Sequence, residues 1–175
     1  GFESSRILLL VDGVRMNNLI FRSGHLQNVI TVDENFLETA LIQYGPTSSL
    51  YGSDALGGSV NMITKNAKLI DGFTGNYNTR YSSVNEEKSG YFDINYGGKN
   101  FASLTAFSYN DFGDLKMGTR GPVDYLRPFY VQRQNGVDVV ITNEDPLVQK
   151  PTAYSQINVM QKLRYKPSEK WDFQY

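Results

Sequence analysis

Residues 41–64 constrain the fold more than any other part of the sequence. A short apolar start is stopped by the Gly45-Pro46 turn, and further glycines divide the stretch before a second extended run begins. Glycine is favoured where the backbone needs a positive φ, or where another chain passes too closely for a Cβ atom. The large apolar side chains between these glycines need burial, which a flexible linker does not provide. The stretch therefore predicts a tightly turned and densely packed segment.

Upstream of this stretch, the sequence predicts one strand and one helix. Residues 6–11 are rich in leucine and β-branched side chains, which predicts a buried strand that ends at the Asp12-Gly13 turn. Residues 33–41 have apolar side chains at helical spacing, and Asp33 is a suitable N-cap. We therefore expect a short helix at residues 33–41 and an α+β arrangement for residues 1–68.

From residue 72 onward, apolar and polar residues alternate with the period of two that is typical of β-strands. Aromatic residues dominate one predicted face, and polar or charged residues occupy the other. The aromatic residues expected near strand ends on the apolar face are Tyr81, Tyr96, Tyr165 and Trp171. The polar residues expected on the opposite face include Arg80, Asp93, Asn95, Lys162 and Arg164. The alternation predicts about five strands, the last beginning near the end of the sequence.

The connections between these strands differ in length. Tight turns are predicted at residues 97–100 and 166–170, whereas residues 110–151 form a long interval rich in glycine, proline and charged residues. Within that interval, residues 137–142 are predicted to form a short strand. Membrane β-barrels have short turns at one end and longer loops at the other, and the predicted connections fit that arrangement. A soluble β-sandwich would show the same alternation and remains an alternative.

The composition limits the chemistry that the chain can perform. The 175 residues carry a net charge of −1 with no cysteine and one histidine. This balance does not favour nucleic acid as a partner, and it excludes disulfides and thiolate metal sites. No nucleophile paired with a base and no cluster of metal ligands stands out in the sequence. We therefore predict that the protein is not an enzyme and requires no cofactor.

Two segments of the sequence resemble the plug domain of TonB-dependent outer-membrane receptors. The first is ILLLVDGVRMNN at residues 7–18, which includes Asp12 and Gly13. The second follows the pattern GP-x-S-x-LYG-x-x-A-x-GG-x-x-N-x-IT. Its matching residues are Gly45, Pro46, Ser48, Leu50, Tyr51, Gly52, Ala55, Gly57, Gly58, Asn61, Ile63 and Thr64. In that family these positions are structural, and the resemblance implies the same role for them.

The resemblance implies a membrane protein of the all-β class. Residues 1–68 would be the C-terminal part of an α+β plug domain. Residues 69–175 would be the first strands of an antiparallel transmembrane β-barrel, with a long extracellular loop at about 110–151. The expected location is the outer membrane of a Gram-negative bacterium, with lipid around the strands. Because no signal peptide, TonB-contacting box or first half of the plug is found, we expect the chain to be an internal fragment.

The resemblance also implies a function and partners. Receptors of this family bind a scarce nutrient at the outer face and import it when the TonB complex of the inner membrane rearranges the plug. His25, within the sequence RSGHLQN, resembles the histidine that binds haem iron in haem and haemoglobin receptors. We therefore predict haem or haemoglobin iron as the cargo, with His25 as its only metal contact in this chain. A siderophore, cobalamin or an oligosaccharide are alternatives, and a surface lipoprotein is a candidate partner.

Overall fold

The computed structural model describes residues 7–16, 31–45, 51, 55 and 57–175. The chain divides into two compact units, and each is described by itself. The first unit contains Gly1–Thr74, Ile94–Ala106 and Met160–Tyr175, and the second contains Gly75–Asp93 and Phe107–Val159. Across the described ranges, no helix has the length and apolar character needed to cross a membrane.

The first unit contains a four-stranded sheet, called the small sheet below. Its strands are β1 (Ile7–Val11), β2 (Val14–Arg15), β3 (Leu37–Tyr44) and β4 (Gly58–Thr64). Their order is β2-β1-β4-β3, with β4 parallel to β1 and antiparallel to β3. The predicted strand before the Asp12-Gly13 turn is confirmed as β1. Both turn residues have positive φ, 49° and 79°, so the chain reverses there within two residues.

The small sheet buries apolar side chains on one face. Leu8 and Leu10 alternate along β1 and form a buried cluster with Ala55, against which Tyr51 packs. Leu10 is only 1% exposed. Tyr51 and Ala55 belong to the glycine-punctuated stretch, so the prediction that this stretch is densely packed is confirmed for these two residues. Removing water from such side chains stabilises the unit by about 1.5–3 kcal/mol for each fully buried leucine.

The helix predicted at residues 33–41 is wrong. Asp33 does cap a helical turn, since its carboxylate accepts a hydrogen bond from Asn35 N at 2.8 Å. The turn is a 3-10 helix of only three residues, Glu34–Phe36, and the chain then continues as β3. Pairing of β3 with β4 supplies backbone hydrogen bonds that local helical spacing does not reveal. Among the described residues of 1–68, helical backbone also occurs at Tyr51 and Ala55, and most of the remaining regular structure is β.

From residue 72 onward the structure contains nine strands. They are β5 (Gly72–Ser82), β6 (Glu87–Gly97), β7 (Phe101–Phe112), β8 (Leu115–Lys116), β9 (Phe129–Gln134), β10 (Val137–Thr142), β11 (Val148–Gln149), β12 (Tyr154–Ser168) and β13 (Trp171–Gln174). Five of them form one sheet in the order β13-β12-β7-β6-β5, called the large sheet below. The predicted tight turns are confirmed at residues 98–100 and 169–170. Near the second turn, Pro167 lies in an irregular part of the β12–β13 pairing, where a missing N–H is tolerated.

Strand β6 of the large sheet exposes its apolar side chains and buries polar ones, whereas β7 buries Ala102 and Leu104. On β6, the side chains of Phe92, Ile94 and Tyr96 are 45%, 49% and 45% exposed. The intervening Asp93 and Asn95 are only 3% and 5% exposed. On β12, Ile157, Val159 and Leu163 are exposed and Lys162 and Arg164 are half-buried, while Met160 is half-buried against the Ala67 cluster. The predicted division into an apolar and a polar face is confirmed on β6, whereas the covered side of β7 is apolar at Ala102, Leu104 and Ala106.

Strand β5 is at one edge of the large sheet and is exposed on both faces. Its polar residues nevertheless contact the buried polar face. Asn76 Nδ2 donates to Asp93 Oδ1 at 2.9 Å, and Arg80 Nε lies 3.6 Å from Glu87 Oε1. Tyr91 donates a short hydrogen bond to the other oxygen of Asp93. Arg80 and Asp93 therefore share one face, as the alternation predicts.

The interval between β7 and β12 is folded rather than irregular. It contains the β9–β10 hairpin and the short β8–β11 pair. Asn135 and Gly136 connect β9 to β10 with φ values of 50° and 83°, which suit a two-residue hairpin turn. The predicted strand at residues 137–142 is confirmed as β10. Its partner β9 was not predicted, although the Asn-Gly pair is a strong hairpin signal.

Candidate functional site

Asp12 connects three segments of the first unit. Its Oδ1 accepts a hydrogen bond from Thr64 N at 2.8 Å, and its Oδ2 accepts one from Thr64 Oγ1 at 2.6 Å. The same Oδ2 forms an ion pair with Lys162 Nζ at 2.8 Å. One carboxylate therefore joins the β1–β2 turn, the end of β4 and strand β12 of the large sheet. Lys162 was predicted on the polar face of its strand, but the sequence did not reveal its partner.

The surroundings of Asp12 favour its charged form. Burial acts to raise the pKa of the carboxyl, but the hydrogen bonds from Lys162 and Thr64 outweigh it and leave the pKa below its ordinary value. Both side chains of the ion pair are partly exposed. Solvent screening therefore limits the pair itself to about 1 kcal/mol. The contact is strong enough to orient the turn and weak enough to be broken.

Three described residues of the plug-like pattern support this turn or its sheet. Asn61 Oδ1 accepts a hydrogen bond from Gly13 N at 3.0 Å and so fixes the turn from β4. Tyr51 accepts a hydrogen bond from Arg15 Nη2 at its backbone oxygen, at 3.0 Å. At Gly58, φ is 138° and a Cβ atom would approach the Gln43 carbonyl oxygen to 2.4 Å, so only glycine fits.

A cavity of about 370 Å³ lies beside Asp12 in the first unit. Polar and apolar groups both line it, and the Asp12–Lys162 ion pair forms part of its wall. Its lining residues include Asp12, Asn61, Asn66, Lys162, Arg164 and Gln174. Within the described ranges, no three His, Cys, Asp or Glu side chains lie close enough together to hold a metal ion. The cavity has the donors and acceptors to hold polar groups.

The segment that joins the small and large sheets is fastened to strand β6. Asn95 Oδ1 accepts a hydrogen bond from Lys68 N at 2.8 Å, and Asn95 Nδ2 donates to Lys68 O at 3.0 Å. This amide occupies both backbone groups of Lys68, as a neighbouring strand would. A Cβ atom at Gly97 would approach the carbonyl oxygens of Ile70 and Lys68 to 2.3 and 2.5 Å. The close approach of the segment therefore depends on glycine at residue 97.

In the second unit, two acidic residues fix the base of the interval between β7 and β12. Asp114 Oδ1 accepts hydrogen bonds from Thr152 N at 2.7 Å and Ala153 N at 2.9 Å. These bonds, led by the one from Thr152, lower the pKa of the Asp114 carboxyl. Asp145 pairs with Lys116 at 2.7 Å, and that hydrogen bond is the main reason that the pKa of Asp145 is also lowered. The sequence analysis did not single out Asp114, Thr152, Asp145 or Lys116.

The buried side chain of Asn143 holds the interval together from inside the second unit. Its Nδ2 donates to the carbonyl oxygens of Arg127 and Val148, both at 2.8 Å. Asn143 N donates to Pro128 O at 2.8 Å as well. One residue thus connects the start of the β9–β10 hairpin with β11. The interval is a structured projection rather than an open loop.

Several predicted residues lie outside the described part of the chain. They are His25, Pro46, Ser48, Leu50 and Gly52. Of the remaining plug-like residues, Gly45 follows β3 with a φ of 85°, and Gly57 directly precedes β4. The structure therefore brings Asp12, Gly13 and Asn61 together at the turn. The predicted contact of His25 with haem iron stays a prediction.

Comparison with known proteins agrees with the plug-like pattern and the fold. Residues 1–59 match the family model of the TonB-dependent Receptor Plug Domain. The Vitamin B12 transporter BtuB of Vibrio vulnificus (strain CMCP6) is 40% identical over 72 residues, which are 41% of this chain and 11% of the relative. The chain thus spans about a tenth of that protein's length.

Two solved structures share the fold of the chain. The FrpB iron transporter from Neisseria meningitidis (F3-3 variant) superposes with a TM-score of 0.67 at 16% identity, covering 93% of this chain and 22% of FrpB. The ferric enterobactin receptor PfeA from Pseudomonas aeruginosa, as its R480A mutant with enterobactin, gives a TM-score of 0.57 at 16% identity. That match covers 94% of this chain and 24% of PfeA. At this identity the likeness shows the fold alone.

The plug match and the exposed apolar side chains of β6 are features of the plugged receptors of the outer membrane of Gram-negative bacteria. More particularly, residues 1–59 match the plug domain of a TonB-dependent receptor, as the sequence predicts. The three relatives named above are called transporters or receptors, which agrees with the prediction that the protein is not an enzyme. Their names mention vitamin B12, iron and enterobactin and do not mention haem.

Proposed function

We propose that the full-length protein is an outer-membrane receptor that actively imports a scarce nutrient with energy supplied through the TonB complex. Residues 1–68 would be the C-terminal part of its plug domain, and residues 69–175 the first strands of its barrel. The observation that carries this proposal is the exposed apolar face of the large sheet, which follows directly after the plug-like pattern in the chain. The residues that hold the plug segment are Asp12, Asn95 and Lys162.

The exposed apolar face supports a lipid environment on energetic grounds. Burial of apolar surface stabilises by about 25 cal/mol for each Å², and the exposed valine, isoleucine and aromatic side chains of the large sheet forgo that gain in water. In a bilayer, hydrocarbon surrounds the same face, and the buried polar face meets the interior of the barrel. A soluble β-sandwich would need the apolar face turned inward, so the exposure pattern does not favour that alternative.

The alternating length of the connections supports an orientation. The tight turns after β6 and β12 are at the strand ends where the chain enters β5 from the plug segment. We propose that these turns face the periplasm and that the interval at about 110–151 is extracellular. Its fixed base and projecting hairpin suit a cargo-binding loop, because a rigid scaffold positions binding groups at little entropic cost.

The transport proposal is tested with the full-length receptor in cells with and without TonB. Labelled cobalamin, ferric siderophores and haem are supplied separately. Cells should take up one of these cargoes only when they have both the receptor and TonB. Cells that carry an empty vector provide the control for background uptake. Uptake that is independent of TonB, or no uptake for any cargo class including oligosaccharides, would contradict the proposal.

For the cargo, we propose a metal chelate. Cobalamin and ferric siderophores are supported by the names of the relatives, of which the vitamin B12 transporter is 40% identical over its matched residues. Haem is the second candidate, supported by His25 as the only histidine, since neutral imidazole binds haem iron axially. If haem is the cargo, a surface lipoprotein is the candidate partner for capturing it.

The two cargo candidates differ in their dependence on His25. If haem is the cargo, His25→Ala in the full-length receptor should abolish most of the haem binding seen by difference absorption spectroscopy. Gln27→Ala, two residues away, is the matched control and should leave binding unchanged. If cobalamin or a ferric siderophore is the cargo, His25→Ala should leave uptake of that cargo unchanged. Haem binding that survives His25→Ala would remove this residue from the site.

A further inference from the structure

Three lysines are grouped at the tight-turn end of the large sheet. Lys99 lies in the turn between β6 and β7, and Lys166 and Lys170 lie on either side of the turn after β12. The Lys166 backbone amide donates to the Asn100 carbonyl oxygen at 2.7 Å. This hydrogen bond makes the two turns direct neighbours. The three ammonium groups therefore belong to one end of the sheet in the first unit.

The three lysines differ in their ion pairing within the described ranges. Lys166 Nζ lies 3.2 Å from Glu169 Oε2, an exposed carboxylate. Lys99 and Lys170 are exposed and form no ion pair with any residue that the structure describes. The turn between β5 and β6 is at the opposite end of the sheet and differs in charge. There, Glu86 and Glu87 accompany Lys88. The β5–β6 turn thus does not share the excess of lysines found at the tight-turn end.

Exposed aromatic side chains lie next to the lysines on the apolar face. Tyr96 and Phe101 border the first turn, and Phe73 packs against Tyr96 with ring centroids 4.8 Å apart. At the second turn, Trp171 and Phe173 stack with centroids 5.8 Å apart, and all of these rings are exposed. Tyrosine and tryptophan in such a position mark the boundary between hydrocarbon and lipid headgroups. The lysines therefore belong at the level of the headgroups.

We propose that this end of the large sheet, formed by Lys99, Lys166 and Lys170 with Tyr96 and Trp171, binds the phosphate of an anionic glycerophospholipid. The acyl chains would lie along the exposed apolar face, the aromatic rings would contact the glycerol region, and the ammonium groups would contact the phosphate. Phosphatidylglycerol fits because its headgroup leaves a full negative charge, whereas the amine of phosphatidylethanolamine cancels it. This inference rests on the membrane placement given under the proposed function.

The inference is tested by native mass spectrometry of the full-length receptor titrated with phosphatidylglycerol, phosphatidylethanolamine and lipid A. Wild type should retain phosphatidylglycerol in preference to the other two lipids. Lys99→Gln combined with Lys170→Gln should weaken that binding about thirtyfold, at about fivefold for each lysine. Lys88→Gln is the matched control on β6, and it should leave binding unchanged. Lys99→Arg combined with Lys170→Arg should restore binding, because it restores the charge.

The outcomes separate this inference from the proposed function. Equal retention of phosphatidylglycerol by wild type and by the Gln double variant would overturn the lipid site. A preference for lipid A would overturn it as well, since the phosphate would then come from another source. In both cases a receptor that inserts into vesicles and transports its cargo would leave the proposed function intact. A receptor that does not insert into vesicles would overturn both.

Discussion

Strand β1 of the small sheet and strand β6 of the large sheet bury opposite kinds of side chain. Leu8 and Leu10 of the small sheet are buried, as expected for a strand against an apolar core. In the large sheet Ile94 is half exposed while its neighbours Asp93 and Asn95 are buried. Both sheets use the same alternation with period two. The difference lies in the medium that each face meets, and it indicates that hydrocarbon rather than water surrounds the large sheet.

The plug segment contacts the strands of the large sheet through both apolar and polar groups. Ala67 packs in a buried cluster with Ala102 and Leu104 of β7. Asp12 with Lys162, and Asn95 with Lys68, add polar contacts that involve hydrogen bonds. Polar contacts of this kind contribute about 1 kcal/mol each in net stability. Such an interface can hold a plug in place at rest and still yield when it is pulled.

The largest effect is expected from the core of the small sheet. Leu10→Ala should lower the free energy of unfolding of this unit by about 2–5 kcal/mol, because it leaves a cavity at a side chain with 1% exposure. The matched substitution Leu163→Ala, on the apolar face of β12, should cost less because the side chain is already 38% exposed. Hydrogen exchange of the β1 amides and urea unfolding of the full-length receptor measure both. Equal losses of unfolding free energy in Leu10→Ala and Leu163→Ala would contradict the different burial of these two side chains.

The second-largest effect is expected from a charge placed on the exposed face of the large sheet, and it tests whether lipid or water covers that face. Val159 on β12 and Val140 on β10 are both 67% exposed. Val159→Arg should destabilise the receptor in lipid vesicles by about 2–4 kcal/mol, since a charge would enter hydrocarbon. Val140→Arg, outside the large sheet, should stay within about 0.5 kcal/mol. Urea titration of folding into vesicles measures both variants, and a neutral Val159→Arg would show that water covers this face.

A smaller effect is expected at the Asp12 contact. Asp12→Asn keeps a side chain that tolerates the positive φ of 49° but removes the charge that Lys162 meets. We expect a loss of about 1–2 kcal/mol, read out as faster hydrogen exchange of the Thr64 amide. Asp145→Asn, which breaks the ion pair with Lys116 in the second unit, is the control and should leave that amide unchanged. Unchanged hydrogen exchange of the Thr64 amide in Asp12→Asn would show that the Asp12–Lys162 contact does not stabilise this part of the unit.

The smallest effect concerns pH. Hydrogen bonds from Thr152 and Ala153 hold the pKa of Asp114 below its ordinary value of 3.8. The carboxylate therefore stabilises the base of the interval above about that pH, and the stabilisation is lost as the pH falls through the lowered pKa. Exchange of the Thr152 amide should accelerate on acidification below this range in wild type. Asp114→Asn should show fast exchange at neutral pH already, and slow exchange there would contradict the assignment.

The sequence was informative where structure is local. The alternation and tight turns predict β5, β6, β7, β12 and β13, since side-chain period and turn residues are read within a few positions. The helix at residues 33–41 was wrong because β3 depends on pairing with β4, more than ten residues away in the chain. The same limit applies to the site: Asp12 and Lys162 are 150 positions apart, and no periodicity reveals such a contact. The β9 strand, by contrast, was available from the Asn-Gly turn.

Accessibility of β12 in a bilayer tests the central claim most directly. The chain has no cysteine, so single cysteines at residues 156–159 of the full-length receptor can carry a spin label without interference. After reconstitution in vesicles, labels at 157 and 159 should be accessible to oxygen dissolved in the lipid and shielded from a water-soluble nickel reagent. Labels at 156 and 158, on the other face of β12, should be shielded from oxygen dissolved in the lipid. Nickel accessibility at 157 and 159, or the absence of any alternation, would contradict a lipid-facing sheet.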